Sequence, residues 1–122
     1  MKIGMTPKQR EIWLIPVPFS DLSAQKRRPV IVLSSDNYNE NSSDFVVVAM
    51  TSNPRSDLFS FMITSEDLAE GDLRRPSVIR ADKIFSLAQS EALKRFGKVD
   101  HPTFVRILQR IAALMRSSKN DN

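Results

Sequence analysis

The apolar residues of this chain fall into short blocks separated by polar and proline-containing stretches. Blocks rich in β-branched and aromatic residues predict strands, and they lie at residues 12–15, 30–34, 45–50, 59–64, 78–80 and 83–87. The fourth block alternates between apolar and polar positions, which is typical of a strand with one buried face. The last two blocks are either two short strands or one bent strand. The pattern therefore predicts a mainly β fold.

The stretches between these blocks are polar and predict connections. Residues 1–10 predict a loose lead-in, residues 20–28 a loop, and residues 36–43 a turn-rich connection. Residues 65–68 resemble the start of a helix, but Gly71 stops it within about one turn.

From His101 onward the apolar period changes to that of a helix. Pro102 suits the first turn, and Asp100 or His101 suits the cap. His101 is therefore better explained as a helix-start residue than as a catalytic group. The predicted buried face carries Phe104, Ile107, Leu108, Ile111, Leu114 and Met115. A small, curled antiparallel sheet or barrel closed by this helix, in one domain spanning residues 1–122, accounts for the whole pattern.

Composition excludes several kinds of chemistry. The chain has 122 residues, no cysteine and one histidine, so disulfides, thiolate catalysis and Cys- or His-rich metal sites are excluded. The formal net charge of +4 favours anionic partners such as nucleic acid or an acidic peptide. No apolar run is long enough to cross a membrane, and residues 1–7 lack the apolar core of a signal peptide. We therefore expect a soluble, cytoplasmic protein without a metal or cofactor.

Candidate chemistry lies at the ends of two adjacent predicted strands. Lys26, Arg27 and Arg28 precede Pro29 at the start of the second strand, and Thr51 and Ser52 follow the third. Consecutive strands with a short connection pair antiparallel, so Arg28 and Thr51 should be neighbours at one rim of the sheet. A guanidinium and a hydroxyl pair could hold a phosphodiester there. Alternatively, the cations form a solvated turn and the hydroxyls only satisfy backbone groups.

Four segments resemble the PemK/MazF toxin family: residues 11–22, 26–34, 46–52 and 77–84. Together with the closing helix they extend the resemblance over roughly residues 10–116. The resemblance implies a small SH3-like barrel of the PemK/CcdB type with a C-terminal helix, assembled as a homodimer. It also implies metal-independent cleavage of single-stranded RNA, in which the 2′-hydroxyl attacks the adjacent phosphate and leaves a cyclic phosphate and a 5′-hydroxyl. A cognate antitoxin with an acidic tail is the implied partner.

On this resemblance the family's arginine and threonine correspond to Arg28 and Thr51, the implied catalytic residues. Arg28 stays protonated, so it suits a phosphate clamp rather than a base. The RNA path is expected along Phe19, Ser20, Lys26, Arg27 and Ser52. Phe19 either stacks on a base or plugs the core at the strand end.

The sequence also departs from the family pattern. Arg10 stands where the family has a glycine, residues 23–27 replace a glycine-rich loop, and Ser23 stands where some relatives carry a glutamate. The general base is therefore open. Asp21 is the nearest acidic residue in the loop, and it can equally be a solvated loop residue.

Two other functions remain open. A non-enzymatic inhibitor of the CcdB type has a similar barrel but binds DNA gyrase through its C-terminal helix, and an inert or antitoxin-only binding module could keep the fold. Arg28 and Thr51 in the matching places favour the nuclease. Residues 59–63 offer either an apolar surface for a homodimer or side chains that fill the core.

Overall fold

A computed structural model of the chain describes residues 5–16, 27–54 and 57–117. The calls on Phe19, Ser20, Asp21, Ser23 and Lys26 lie outside these residues. The described elements are β1 (Glu11–Pro16), β2 (Arg27–Val32), α1 (Asp36–Glu40), β3 (Asp44–Thr51), β4 (Ser60–Ile63), β5 (Leu68–Glu70), β6 (Ser77–Ala88), β7 (Lys94–Val99) and α2 (His101–Met115).

The seven described strands form one curled antiparallel sheet in the order β4-β6-β3-β2-β1-β7-β5. One face carries the helix-side cluster, in which Phe104 and Ile107 of α2 are buried together with Ile12, Ile31 and Val48. The other face carries the opposite-face cluster of Trp13, Ile15, Val30, Val32, Phe45 and Val47. The core is therefore divided between the two sides of the sheet.

The central strands β2 and β3 have the positions that the apolar blocks predict. Val30, Ile31 and Val32 are all buried, and Ile31 lies opposite Val48 in the antiparallel pairing. Strands covered on both faces are apolar at consecutive positions, which explains why these blocks do not alternate.

The N-terminal boundary of β2 differs from the prediction. Arg27 and Arg28 are not loop residues, because they pair with Pro16 and Ile15 of β1. The ladder with β1 thus extends the strand beyond its apolar block. At the other end β2 stops at Val32, two residues before the predicted end at Ser34.

The polar connection after β2 contains the short helix α1, which the sequence pattern missed. The Ser35 side chain caps it by accepting a hydrogen bond from the Tyr38 amide. Asn39 is fully buried, and its side chain donates to the carbonyl oxygens of Pro7 and Ser34. The buried side chain of this helix is a polar amide, so the sequence lacks the apolar face from which a helix is predicted.

Residues 65–68 begin a helix as predicted, but only as a single 3₁₀ turn at Ser65–Asp67. Thr64 and Asp67 form a capping box around this turn. The chain then forms the short edge strand β5, and Gly71 follows with φ +91°, a conformation that favours glycine.

The blocks at 78–80 and 83–87 belong to one bent strand, β6. Its pairing with β3 jumps from Ile84 opposite Val48 to Arg80 opposite Ala49, so residues 81–83 form a bulge. Ile84 packs on the helix-side cluster, whereas Arg80 and Phe85 both face the other side of the sheet at the same cavity.

Strand β7 was also missed by the apolar pattern, although it pairs with both β1 and β5. Arg95 of β7 donates to Glu11 over 2.6 Å and to Glu70 over 2.5 Å. Glu11 is buried and also accepts from the Trp13 indole. A polar network therefore holds this side of the sheet together.

Helix α2 confirms the prediction from the C-terminal spacing. Asp100 is its cap and accepts a hydrogen bond from the Thr103 amide. The predicted buried face was too wide, because Leu108 and Met115 are 46% and 69% exposed. The described part of the chain contains no helix with the length and apolar character needed to span a membrane.

Candidate active site: a cationic cavity at the rim of the sheet

A cavity of about 510 Å³ lies where β1 ends, β2 begins and β3 ends. Its apolar lining includes Ile15, Val30 and Phe85. Its polar lining consists of Arg28, Thr51, Asn53, Arg80 and Lys83. An apolar surface that carries several cations suits an anionic ligand, because charge interactions strengthen where water is partly excluded.

Arg28 is placed by the β1–β2 ladder. It lies opposite Ile15, and the fully buried Val30 follows two residues later on the same face. The guanidinium makes no hydrogen bond or ion pair with any residue in the described ranges. The backbone of Arg28 is therefore held in the sheet, while its charge is not neutralised by any described residue.

Thr51 is the last residue of β3 and lines the same cavity as Arg28. The structure thus brings the two together, as their strand positions predict, while their catalytic roles stay predictions. The Thr51 hydroxyl oxygen accepts from the Asn53 amide over 3.2 Å, which is the turn role that the sequence left open. Its proton remains available for a ligand, because accepting a hydrogen bond does not use the hydroxyl's own donor.

The other predicted RNA-path residues that the structure describes, Arg27 and Ser52, are exposed at the same rim but do not line the cavity. Arg10, which the resemblance places where a glycine is expected, has φ +77°, in the left-handed region where glycine is preferred. Its guanidinium donates to the Val99 carbonyl, which anchors the residue there.

Arg80 lines the cavity although it was not among the predicted site residues, and Asp82 is its partner. The Arg80 guanidinium donates to both carboxylate oxygens of Asp82, over 2.9 and 2.6 Å. This side-chain hydrogen bond raises the pKa of Arg80 above its ordinary value, so the group stays charged. The sequence does carry one sign of this feature: charged residues at 80, 82 and 83 lie where two apolar strand blocks meet.

The bulge in β6 delivers these cations to the cavity. Arg80 and Phe85 are five residues apart, a spacing that puts side chains on opposite faces of an unbroken strand. Both line the cavity because residues 81–83 shift the alternation, and Lys83 lines it from within the bulge itself. No group of three or more His, Cys, Asp or Glu side chains that could hold a metal ion occurs among the residues described.

The cavity and the fold can now be compared with known proteins. The family model described as "PemK-like, MazF-like toxin of type II toxin-antitoxin system" matches residues 8–115. This chain therefore belongs to the PemK/MazF-like family of type II toxins. None of the curated proteins compared with the chain matches it.

Solved structures share the fold. An endoribonuclease from a mycobacterial species has a TM-score of 0.71 and 20% identity, covering 92% of this chain and 93% of its own. A MazE–MazF complex from Deinococcus radiodurans has a TM-score of 0.71 and 18% identity, covering 94% and 100%. A mycobacterial endoribonuclease in complex with its cognate antitoxin has a TM-score of 0.68 and 18% identity, covering 92% and 99%. The predicted mainly β fold with a C-terminal helix is confirmed.

Proposed function

We propose that this toxin is a metal-independent endoribonuclease that cleaves single-stranded RNA. The observation that carries the proposal is that Arg28, whose guanidinium has no partner among the described residues, lines one cavity together with Thr51 and Arg80. Structures of similar fold are named as endoribonucleases, and this supports the same activity here.

Both atoms that form the new bond belong to the RNA itself. The ribose 2′-oxygen attacks the adjacent phosphorus, and the bond from phosphorus to the 5′-oxygen of the next nucleotide breaks. A base takes the 2′-hydroxyl proton, and an acid gives a proton to the departing 5′-oxygen. The products are a 2′,3′-cyclic phosphate and a 5′-hydroxyl end. Negative charge builds on the non-bridging phosphate oxygens during the attack. Cations that are already positioned there stabilise this charge.

Arg28 and Arg80 are the groups that meet this charge. A guanidinium presents several donors in one plane and suits phosphate oxygens. Asp82 holds Arg80 in place through two hydrogen bonds, so little order is lost when RNA binds. Thr51 donates its hydroxyl proton to a phosphate oxygen.

The proton transfers require a base and an acid. Among the described residues, Asp82 is a carboxylate bound directly to a cavity residue, which makes it a candidate base beside Asp21. Lys83 lines the cavity and carries the protons that the 5′-oxygen needs. Asp82 and Lys83 belong to the same bulge, and Lys83 lines the cavity.

We further propose a homodimer that acts in the cytoplasm and is neutralised by an antitoxin with an acidic segment. A net charge of +4 suits an acidic partner. Complexes of similar structures with a cognate antitoxin or with MazE support such a partner.

The deciding experiment is incubation of the purified protein with a long RNA in excess EDTA, followed by mapping of the new ends. We expect discrete cuts that carry 5′-hydroxyl and cyclic phosphate ends. Arg28→Ala protein prepared in parallel controls for a contaminating nuclease. Intact RNA together with inhibition of DNA gyrase would instead support the CcdB-type function.

A further inference from the structure

The cavity at the rim of the sheet is larger than a phosphate group. Its volume of about 510 Å³ lies within the range of pockets that hold whole small molecules. Arg28, Thr51 and Arg80 give it a polar lining suited to a phosphate, whereas Phe85 adds an aromatic side chain to the same lining. The proposed chemistry uses the polar residues and leaves Phe85 without a role.

Phe85 lies on the cavity face of the sheet. It is paired with Val47 of β3, and Val47 belongs to the opposite-face cluster together with Val30, which lines the cavity. Residues that stand directly opposite each other in a ladder share one face of the sheet. The bulge at residues 81–83 therefore brings Phe85 to the same face as Arg80.

Packing in the described core does not account for Phe85. It is 39% exposed, and it belongs to neither the helix-side cluster nor the opposite-face cluster. Its neighbours on β6 do pack there, Ile84 on the helix-side cluster and Leu87 on the opposite-face cluster. A partly exposed aromatic side chain that lines a cavity offers a large apolar surface to a ligand.

Phe85 and the phosphate-binding residues lie toward two ends of the cavity. Thr51 is the last residue of β3, and Phe85 is paired with Val47, four residues earlier in that strand. Arg80, which is paired with Ala49, lies between them. Four residues of strand span about 13 Å, so the cavity has room for a phosphate at one end and for the attached sugar and base at the other.

We propose that Phe85 stacks on a base of the RNA, at one of the two nucleotides joined by the cleaved phosphate, an inference that rests on the proposed ribonuclease function. An aromatic side chain accepts any of the four bases, because every base has a π face. The stacking therefore adds affinity and holds the phosphate beside Arg28 without choosing between bases.

The test combines a substitution in the protein with the removal of a base from the RNA. RNAs that lack one base, at either nucleotide of the cleaved bond, are compared with intact RNA on the wild-type protein and on Phe85→Ala. A 2′-deoxy nucleotide at the cleaved bond removes the attacking group, so that binding is measured alone.

We expect removal of one of the two bases to weaken wild-type binding about 5- to 150-fold, and Phe85→Ala to weaken the binding of intact RNA by a similar factor. The two losses should not add, because each change removes the same contact. In cleavage assays Phe85→Ala should raise KM with kcat unchanged, since the stacking is made equally in the ground state and the transition state.

Two further variants separate stacking from apolar packing. Phe85→Leu keeps an apolar side chain without a π face and should bind RNA about as weakly as Phe85→Ala, whereas Phe85→Trp should retain the wild-type affinity. Tyr38→Ala is the matched control, since Tyr38 is 43% exposed and does not line the cavity, and it should leave RNA affinity unchanged. Similar unfolding midpoints for all variants exclude a folding defect.

The outcomes separate this site from the proposed function. RNA left intact by the wild-type protein overturns the ribonuclease function and the stacking site together. Wild-type cleavage with an unchanged KM in Phe85→Ala, or with additive losses from the missing base and the substitution, overturns the stacking site alone. A homodimer that sediments as a monomer after Phe85→Ala assigns the side chain to the subunit interface and also overturns the stacking site.

Discussion

Arg28 combines a paired backbone with an unpaired side chain. Its backbone belongs to the β1–β2 ladder, while its guanidinium faces the cavity without a partner in the described ranges. Under the proposed function, this guanidinium would meet a phosphate without first leaving a partner among the described residues, and charge already in place stabilises developing charge most effectively. Under the proposed ribonuclease function, the contribution of the strand would be to hold a cation where negative charge develops.

Replacing Arg28 by alanine should lower the cleavage rate by about 10²–10³, the loss expected when one preorganised donor is removed. Because Arg28 is exposed, the fold should persist. Cleavage of a labelled RNA in EDTA measures the rate, and urea unfolding checks the fold. Arg27→Ala is the control, since Arg27 is the adjacent exposed arginine outside the cavity and should change only affinity. Equal losses in both variants would contradict a special role for Arg28.

Thr51→Val keeps the shape of the side chain but removes its hydroxyl. We expect a lower kcat with little change in RNA affinity, because the hydroxyl serves the transition state more than the ground state. Thr51→Ser retains the hydroxyl and its bond to the Asn53 amide, so it should stay active. Single-turnover rates at saturating RNA give the comparison. Full activity in Thr51→Val would show that the Thr51 hydroxyl serves only the hydrogen bond within the turn.

The sequence predicted some of these residues and missed others for a physical reason. Arg28 and Thr51 could be paired from the sequence because both lie at the ends of consecutive antiparallel strands. Arg80 and Lys83 could not, since their place at the cavity depends on the bulge in β6. A bulge depends on how two strands pair in space, and no apolar period within one strand reveals it.

At the level of whole elements, contacts between distant segments likewise decided which helices and strands could be predicted from the sequence. Helix α2 and strand β3 could be predicted because their buried positions are occupied by apolar residues. Strand β7 is held by the Arg95 network and by the close approach of Gly97 to Glu70, where an added Cβ would lie 2.8 Å from the carbonyl oxygen. Polar and backbone contacts between distant segments leave little trace in a local pattern.

The network that joins β1 to β7 makes a prediction for stability. Glu11→Ala should lower the free energy of unfolding by about 3 kcal/mol, since it removes a buried carboxylate, leaves the Trp13 indole without its acceptor and leaves Arg95 with Glu70 alone. Glu70→Ala, at the more exposed contact of Arg95, should cost less than about 1 kcal/mol. Urea unfolding at a fixed protein concentration measures both. Equal costs would show that burial of Glu11 contributes nothing.

At the scale of the whole molecule, the homodimer implied by the family resemblance remains a prediction. Within residues 59–63, Phe61 and Ile63 are 5% and 1% exposed and fill the helix-side cluster, whereas Met62 on the other face of the strand is 54% exposed. Exposed apolar side chains occur also on α2, at Leu108 and Met115.

Sedimentation at micromolar concentration tests the assembly. A homodimer should sediment with a mass of about 28 kDa, twice the 13.9 kDa of one chain. Cleavage measured across the same concentration range shows whether activity follows assembly. A species of 13.9 kDa that still cuts RNA would contradict the dimer while leaving the ribonuclease proposal intact.

The bulge at residues 81–83 also determines how this gene product can change in length. Exposed loops gain or lose residues at small cost, because loop closure depends only weakly on length. Within this bulge, a deletion of one residue would invert the alternation between Arg80 and Phe85, so that one of them would leave the cavity for the opposite side of the sheet. Point substitutions in the bulge alter one side chain, whereas an insertion or deletion would exchange the two faces of a strand. In this family member, the number of residues between the two halves of β6 is as much a part of the site as their identity.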